Sequence, residues 1–360
     1  SINHPDLSNF SMDWDYFDGT SARVAEIYSR HGHFEDGDQG LQQALSSGYR
    51  FGFVATSDTR DGTPGSHGLT AILTTSLKKD NLHEALEDRR VYATSGARIV
   101  LWFSADGQVM GSEFSSSTGP SLSIECTPTA PLDRIEILKN NIVVYTWTPG
   151  GSIVLPDEEW FSGAPRGDQL WTKASFDPTL EEQDALELTA LEADGLQRLR
   201  QTYVVEDPNE PFILRPGIQG DYRLWVNGEL LVDTRQLNHE APDIEHDCFD
   251  DDGPGLVGSL ENYHRLGFYN LQELGVPLTA GENVIALESK QDASKAAPPA
   301  TTGMRLEAAA TMAPVEFTWA DNNFSGPSFY YMRVTQTDGH EAWVSPIWVD
   351  RLAPDTTAPG

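Results

Sequence analysis

The side chains best suited to hold a metal or move a proton fall in three short clusters near the start of the chain. His4 stands in Asn3-His4-Pro5. His31, His33 and Glu35 follow the run Val24-Ala-Glu-Ile-Tyr28, and Ser57, Asp58 and Arg60 follow Phe51-Gly-Phe-Val-Ala55. Imidazoles and carboxylates brought together suit zinc, manganese or iron. Arginine cannot ligate a cation, but its fork of donors matches phosphate, sulfate or carboxylate. The chemistry on offer is a cation held beside an anion.

Those residues need a frame. The two apolar runs are short, and a helix-like segment over 40–47 separates them. Strand, helix, strand is the order of a parallel α/β unit. In such units the chemistry collects where the strands end, and that is where these side chains fall.

The order His-Pro, then Glu-Ile-Tyr-Ser-x-His-Gly, then Ser-Asp-x, then Ala85-Leu-Glu-Asp-Arg-Arg-Val-Tyr-Ala-Thr-Ser-Gly-Ala-Arg-Ile99 resembles the PHP superfamily of metal-dependent phosphoesterases, in particular its secreted PHP-like branch. The endings Tyr330-Tyr-Met-Arg-Val334 and Ser345-Pro-Ile-Trp-Val349 are similar to that branch as well. The resemblance implies a distorted βα barrel holding two or three divalent ions of zinc, manganese or iron. It assigns His4 to the mid-chain histidine and Asp58 to the late aspartate as metal ligands; His31-Gly-His33 follows a different strand from the family's His-x-His, though it could supply one ligand, His33. His31 becomes a ligand or acid/base, and Arg60 an anion clamp. Two features depart from the pattern: no Leu-His-x-His-Thr segment precedes His4, and Arg60 occupies the place of the late histidine. The first leaves two expectations: an N-terminal half of the same precursor remains as a second chain that completes the site, or that half of the barrel was lost. The ligand implied is a small phosphoester or a carbohydrate-linked ligand.

Composition limits the partners. The 360 residues carry 55 acidic and 24 basic side chains, a formal charge of −31, and the only lysines are Lys78, Lys79, Lys139, Lys173, Lys290 and Lys295. Such a field repels nucleic acid and anionic membranes. An acidic, lysine-poor surface suits a marine or halophilic setting, where salt screens charges beyond about 10 Å. No apolar run reaches the roughly twenty residues of a membrane helix. Cys126 and Cys248 are too few for a disulfide framework; a single bridge and two buried thiols both fit. Family likeness and acidity together suggest a secreted or periplasmic protein.

The fold class expected is α/β followed by all-β. Residues 1–96 would be the C-terminal part of a PHP-like barrel. From 97 the pattern turns to period two, as in Ser121-Leu-Ser-Ile-Glu-Cys126, which reads as antiparallel sheet. Residues 97–154 and the closing strands at 311–350 would form one immunoglobulin-like sandwich. Between them, 155–310 reads as an insertion whose hairpin Asp221-Tyr-Arg-Leu-Trp-Val-Asn-Gly-Glu-Leu-Leu-Val-Asp233 turns at Asn-Gly. Paired with Gly281-Glu-Asn-Val-Ile-Ala286, it is similar to galactose-binding-like jelly rolls. Residues 351–360 read as a tail.

Within the insertion, Asp243, Asp247, Asp250, Asp251 and Asp252, with Glu245 and Gly253, make a possible calcium loop whose spacing is not that of an EF-hand. His239 and His246 could turn it toward a transition metal. Trp160, Trp171, Tyr263 and Tyr269 could stack on a sugar ring or pack in a core. Two functions follow: part of a metal-dependent PHP-like hydrolase, or a non-catalytic extracellular binding or assembly protein on a degenerate hydrolase scaffold.

Overall fold

A computed structural model describes residues 2–3, 14, 17–20, 22–36, 40–59, 65–149, 153–154, 161–162, 196–217, 221–237, 257, 260–276, 278–290, 303–309 and 312–352. The chain divides into two compact units. One comprises Ser1–Pro149, Glu240–Val257 and Thr311–Gly360, the other Gly150–His239 and Gly258–Ala310.

The first unit opens with β1 (Ile2–Asn3), β2 (Val24–Ser29), β3 (Gly32–His33), α1 (Leu41–Ser46), β4 (Gly52–Ala55), β5 (Leu69–Ile72), α2 (Lys79–Glu87) and β6 (Val91–Thr94). It continues with β7 (Val100–Ala105), β8 (Gln108–Val109), β9 (Glu113–Ser116), β10 (Ser121–Thr127), β11 (Leu132–Lys139) and β12 (Ile142–Trp147). The second unit supplies β13 (Ile153–Val154), β14 (Phe161–Ser162), β15 (Leu196–Val205), β16 (Phe212–Gly217), β17 (Tyr222–Val226), β18 (Glu229–Asp233), α3 (Leu260–Leu266), β19 (Tyr269–Asn270), β20 (Gly281–Lys290) and β21 (Gly303–Ala308). The chain then returns to the first unit with β22 (Val315–Ala320), β23 (Ser328–Gln336), β24 (Glu341–Val344) and β25 (Ile347–Arg351).

In the first unit β2 pairs in parallel with both β1 and β4. The crossover from β2 to β4 includes α1, which buries Leu41, Ala44 and Leu45 at the i, i+3, i+4 spacing of one helical face. A register shift between Glu26 and Tyr28 marks a bulge at Ile27, so Ile27 and Tyr28 both reach the core on one side. Glu26 keeps the alternation and falls on the other side with Val24 and Val54.

The sandwich has one sheet in the order β22-β10-β7-β8 and a larger one in the order β12-β11-β23-β24-β6-β5, with β25 on β23 and β9 on β25. Leu122, Ile124 and Cys126 of β10 are buried while Ser121, Glu125 and Thr127 are exposed, the alternation of a sheet with one wet face. Phe103, Ile124, Ile135 and Val334 meet in the interlayer core. Each such fully buried side chain contributes about 1.5–3 kcal/mol. The opposite face of the larger sheet presents Ala93, Leu138, Tyr331, Trp343 and Trp348 to Ile27, Leu41, Phe51 and Phe53, so the small parallel sheet and α1 form a third layer.

One boundary differs from the sequence expectation. The larger sandwich sheet begins before residue 97, because β5 and β6 pair antiparallel with each other and β6 pairs antiparallel with β24. Val91-Tyr-Ala-Thr94 is buried along its whole length, as in the parallel strands of α/β units, but here antiparallel neighbours lie on both its edges. Among the described residues the parallel pairing of β1, β2 and β4 does not close into a barrel.

The second unit is antiparallel throughout its described pairings, with sheets β13-β21-β16-β19 and β14-β15-β20-β17-β18. Its core joins Leu214, Leu224, Ile285, Leu287 and Leu306 with Tyr263 and Leu266 of α3. The β17–β18 hairpin turns on Asn227 and Gly228, both at positive φ (51° and 85°), the conformation of a type I′ turn.

Candidate functional site

β1, β2 and β4 run in parallel, so their carboxyl ends lie at one edge. His4 is the residue after β1, His31 lies two beyond β2, and Asp58 three beyond β4. His4 itself lies outside the described residues.

The structure brings His31 and Asp58 together, with His31 Nε2 3.2 Å from Asp58 Oδ2. Both remain reachable by solvent, at 29% and 40% side-chain exposure. Arg30 Nε also stands 3.3 Å from His31 Nε2. One nitrogen cannot donate to Asp58 and accept from Arg30 at once, so the tautomer decides between them. The His31 backbone N–H donates to Ser29 Oγ at 3.2 Å, which fixes the turn behind the ring. Asp58 sits at φ 44°, in the left-handed region that aspartate tolerates better than most residues. Beside it, Ser57 Oγ accepts the Gly65 N–H at 2.6 Å and ties the two sides of that loop.

Two nitrogen or oxygen ligands at about 2.0–2.2 Å from a common ion stand roughly 3 Å apart in tetrahedral or octahedral geometry. The separation of His31 and Asp58 fits such a pair. Among the described residues no group of three or more His, Cys, Asp or Glu side chains is placed to hold a metal. His31 and Asp58 therefore fit as part of a site and need further donors to complete it.

The remaining candidates fall elsewhere. His33 is opposite Tyr28 across the β2–β3 hairpin, and its Nδ1 lies 3.5 Å from Asp36 Oδ1. Glu35 turns its carboxylate into the core, against Tyr331, Arg333 and Trp343. Arg60 and the acidic loop with Asp243, Asp247, Asp250, Asp251 and Asp252 lie outside the described residues, as do His239, His246, Trp160, Trp171 and Cys248. Tyr263 and Tyr269 are core residues of the second unit. Arg89 pairs with Glu113, and Arg90 with Glu84 and Asp88. Cys126 is buried and free, and burial pushes its thiol up to about 12, far from a thiolate at neutral pH.

Sequence reasoning passed over Glu26. It is fully buried in β2, and its Oε1 accepts the hydroxyl of Thr56, two residues before Asp58. A carboxylate inside the apolar run Val24-Ala-Glu-Ile-Tyr28 is the signal that could have found it, because a strand buries such a group only with a partner.

No family model matches the chain. An uncharacterized protein of Chlamydia muridarum (strain MoPn / Nigg) is 32% identical over 177 residues, covering 40% of this chain and 28% of the relative. An uncharacterized protein of Chlamydia trachomatis is 31% identical over 177 residues, with the same coverage. The chain thus spans little more than a quarter of the length of these relatives. Among solved structures, an α-L-rhamnosidase from Aspergillus terreus aligns at 10% identity over 69% of this chain and 24% of its own, with a TM-score of 0.19. Fibronectin(III)-like modules of Clostridium thermocellum CbhA align at 8% identity over 72% of this chain and 98% of theirs, with a TM-score of 0.11. Neither score carries a structural likeness.

Proposed function

We propose that the chain is part of a metal-dependent hydrolase of the PHP-like kind, acting on a phosphoester or related ester outside the cytoplasm. The observation that carries this reading is the 3.2 Å approach of His31 to Asp58 beyond the carboxyl ends of two parallel strands. Both partners stay open to solvent at that edge, where an ion and its substrate could reach them.

In this reading His31 and Asp58 are ligands from the second and third of the three clusters, and His4 supplies the first. Donors on a His-x-His segment of a second chain complete the set. Zinc, manganese or iron, when bound, polarises the ester oxygen and lowers the pKa of coordinated water toward neutral. Arg60, two residues from Asp58 in sequence, supplies the charged fork that holds the anionic ester.

The test is a phosphomonoesterase and phosphodiesterase assay with p-nitrophenyl substrates, on protein prepared without chelators together with every chain that co-purifies. The reading expects manganese- or zinc-dependent turnover that falls at least a hundredfold in Asp58→Ala. Metal-independent turnover, or none in preparations of proven metal content, contradicts it and leaves the non-catalytic binding protein.

A further inference from the structure

The hairpin carrying His31 has a short ladder, to which the Phe34 N–H adds one bond to the Ile27 carbonyl at 2.8 Å. β3 offers two residues to β2, pairing His33 with Tyr28 and Gly32 with Ser29, and so short a ladder is marginal in water. Beyond it the chain makes a second attachment. Glu35 is 1% exposed, and both its carboxylate oxygens are held. Oε1 accepts the Tyr331 hydroxyl at 2.7 Å and Gln42 Nε2 at 3.3 Å. Oε2 accepts Arg333 Nη1 at 2.8 Å and Trp343 Nε1 at 2.9 Å. The donors come from α1, β23 and β24, so the hairpin is fastened to strands roughly three hundred residues away.

The network is fully built. Arg333 also donates through Nε to Glu136 at 2.9 Å, sharing one guanidinium between two carboxylates. Burial pulls against that charge, yet Glu35 and Glu136 hold it above the ordinary arginine value. Burial and the Glu35 charge push the Tyr331 phenol well above its usual range, so it remains a donor. Replacing a buried ion pair by apolar side chains is often neutral or stabilising, so stability alone does not account for it. What four directed hydrogen bonds provide is a fixed position.

We infer that Glu35 is a positioning residue for His31: the closing strands of the sandwich, through Tyr331, Arg333 and Trp343, set the hairpin so that His31 meets Asp58. The inference rests on reading that pair as part of a metal site.

The experiment compares wild type, Glu35→Gln, His31→Ala and Asp321→Asn. Asp321 is a comparable carboxylate of the sandwich that holds Lys139 and Tyr330 instead. Zinc affinity is read by competition with a chromogenic chelator and folding by near-UV circular dichroism. The His31 ring resonance, assigned by its loss in His31→Ala, is recorded without metal. Glu35→Gln is expected to fold, to bind zinc about 10–100-fold more weakly and to shift the His31 resonance, whereas Asp321→Asn loses stability with affinity and resonance unchanged. Wild-type affinity and an unmoved resonance in folded Glu35→Gln overturn the inference. If wild type binds no zinc, or His31→Ala binds it as tightly, the metal reading fails and the resonance alone judges Glu35. Should Glu35→Gln not fold, Tyr331→Phe, which removes one donor of the four, is expected to weaken zinc by about threefold to tenfold; no weakening overturns the inference.

Discussion

Ser345 Oγ accepts the backbone N–H of Phe53 at 2.9 Å, joining the loop between β24 and β25 to the parallel strand that leads to Asp58. The same hydroxyl donates to the carbonyl of Val91 at 2.6 Å, so one small side chain bridges β4 and β6, which have no ladder between them.

Ser345→Ala should therefore cost more than a surface serine would. Ser345 is fully buried, and its loss strands the Phe53 N–H without water to replace the bond. The expected penalty is about 1–3 kcal/mol. Urea unfolding should show a lower midpoint at unchanged slope; a midpoint within error of wild type contradicts the bridge.

Arg89 ends α2 in the left-handed region, at φ 59°, where glycine is usual. Arg89→Gly would relieve about 1 kcal/mol of backbone strain. It would also remove a guanidinium that pairs with Glu113, donates to the Gly111 carbonyl at 3.2 Å and lies 5.0 Å over the Trp348 ring. Glu113 is 38% exposed and keeps Arg50 as a partner, so no buried charge is left unpaired; losing the charged hydrogen bonds costs about 1.5–3 kcal/mol, and the net expectation is destabilisation of about 0.5–2 kcal/mol. A glycine variant as stable as wild type would contradict this, because the guanidinium's contacts would then be worth no more than the strain of about 1 kcal/mol that glycine relieves.

In the second unit, hydrogen bonds from Arg235 and then Arg223 hold the Asp233 carboxyl well below the usual carboxylate range. The unfolded carboxyl titrates near about pH 3.9. Below that value the unfolded chain takes up a proton that the folded unit refuses, so this stabilisation is present at neutral pH and is lost as pH falls through the folded value. The loss of stability between pH 6 and pH 3 should be smaller in Asp233→Asn than in wild type. Equal losses would remove Asp233 as a source of acid sensitivity.

The sandwich strands and the Asn227-Gly228 hairpin were legible because their signals are local. Leu122, Ile124 and Cys126 alternate with exposed residues, and an Asn-Gly turn requires two positive φ values in a row. The ends of β2 and β4 were legible for the same reason, which is how His31 and Asp58 could be singled out. The fate of Glu35 was not. As a sequence feature it is one more acidic residue beside two histidines in a chain of 55 acidic side chains, and its partners Tyr331, Arg333 and Trp343 lie at the far end. The pairing of β6 with β24 escaped notice on similar grounds, since an apolar run carries no mark of which distant strand will lie beside it.

The assignment of His31 and Asp58 is tested most directly by isothermal titration of the metal-stripped 360-residue chain, with any co-purifying chain retained, against zinc and manganese, for wild type, His31→Ala and Asp58→Asn. Saturable binding by wild type, weakened at least tenfold by either substitution with the folded spectrum unchanged, is the expected result. Binding that ignores both substitutions, or no binding at all, would contradict the assignment of His31 and Asp58 as metal ligands.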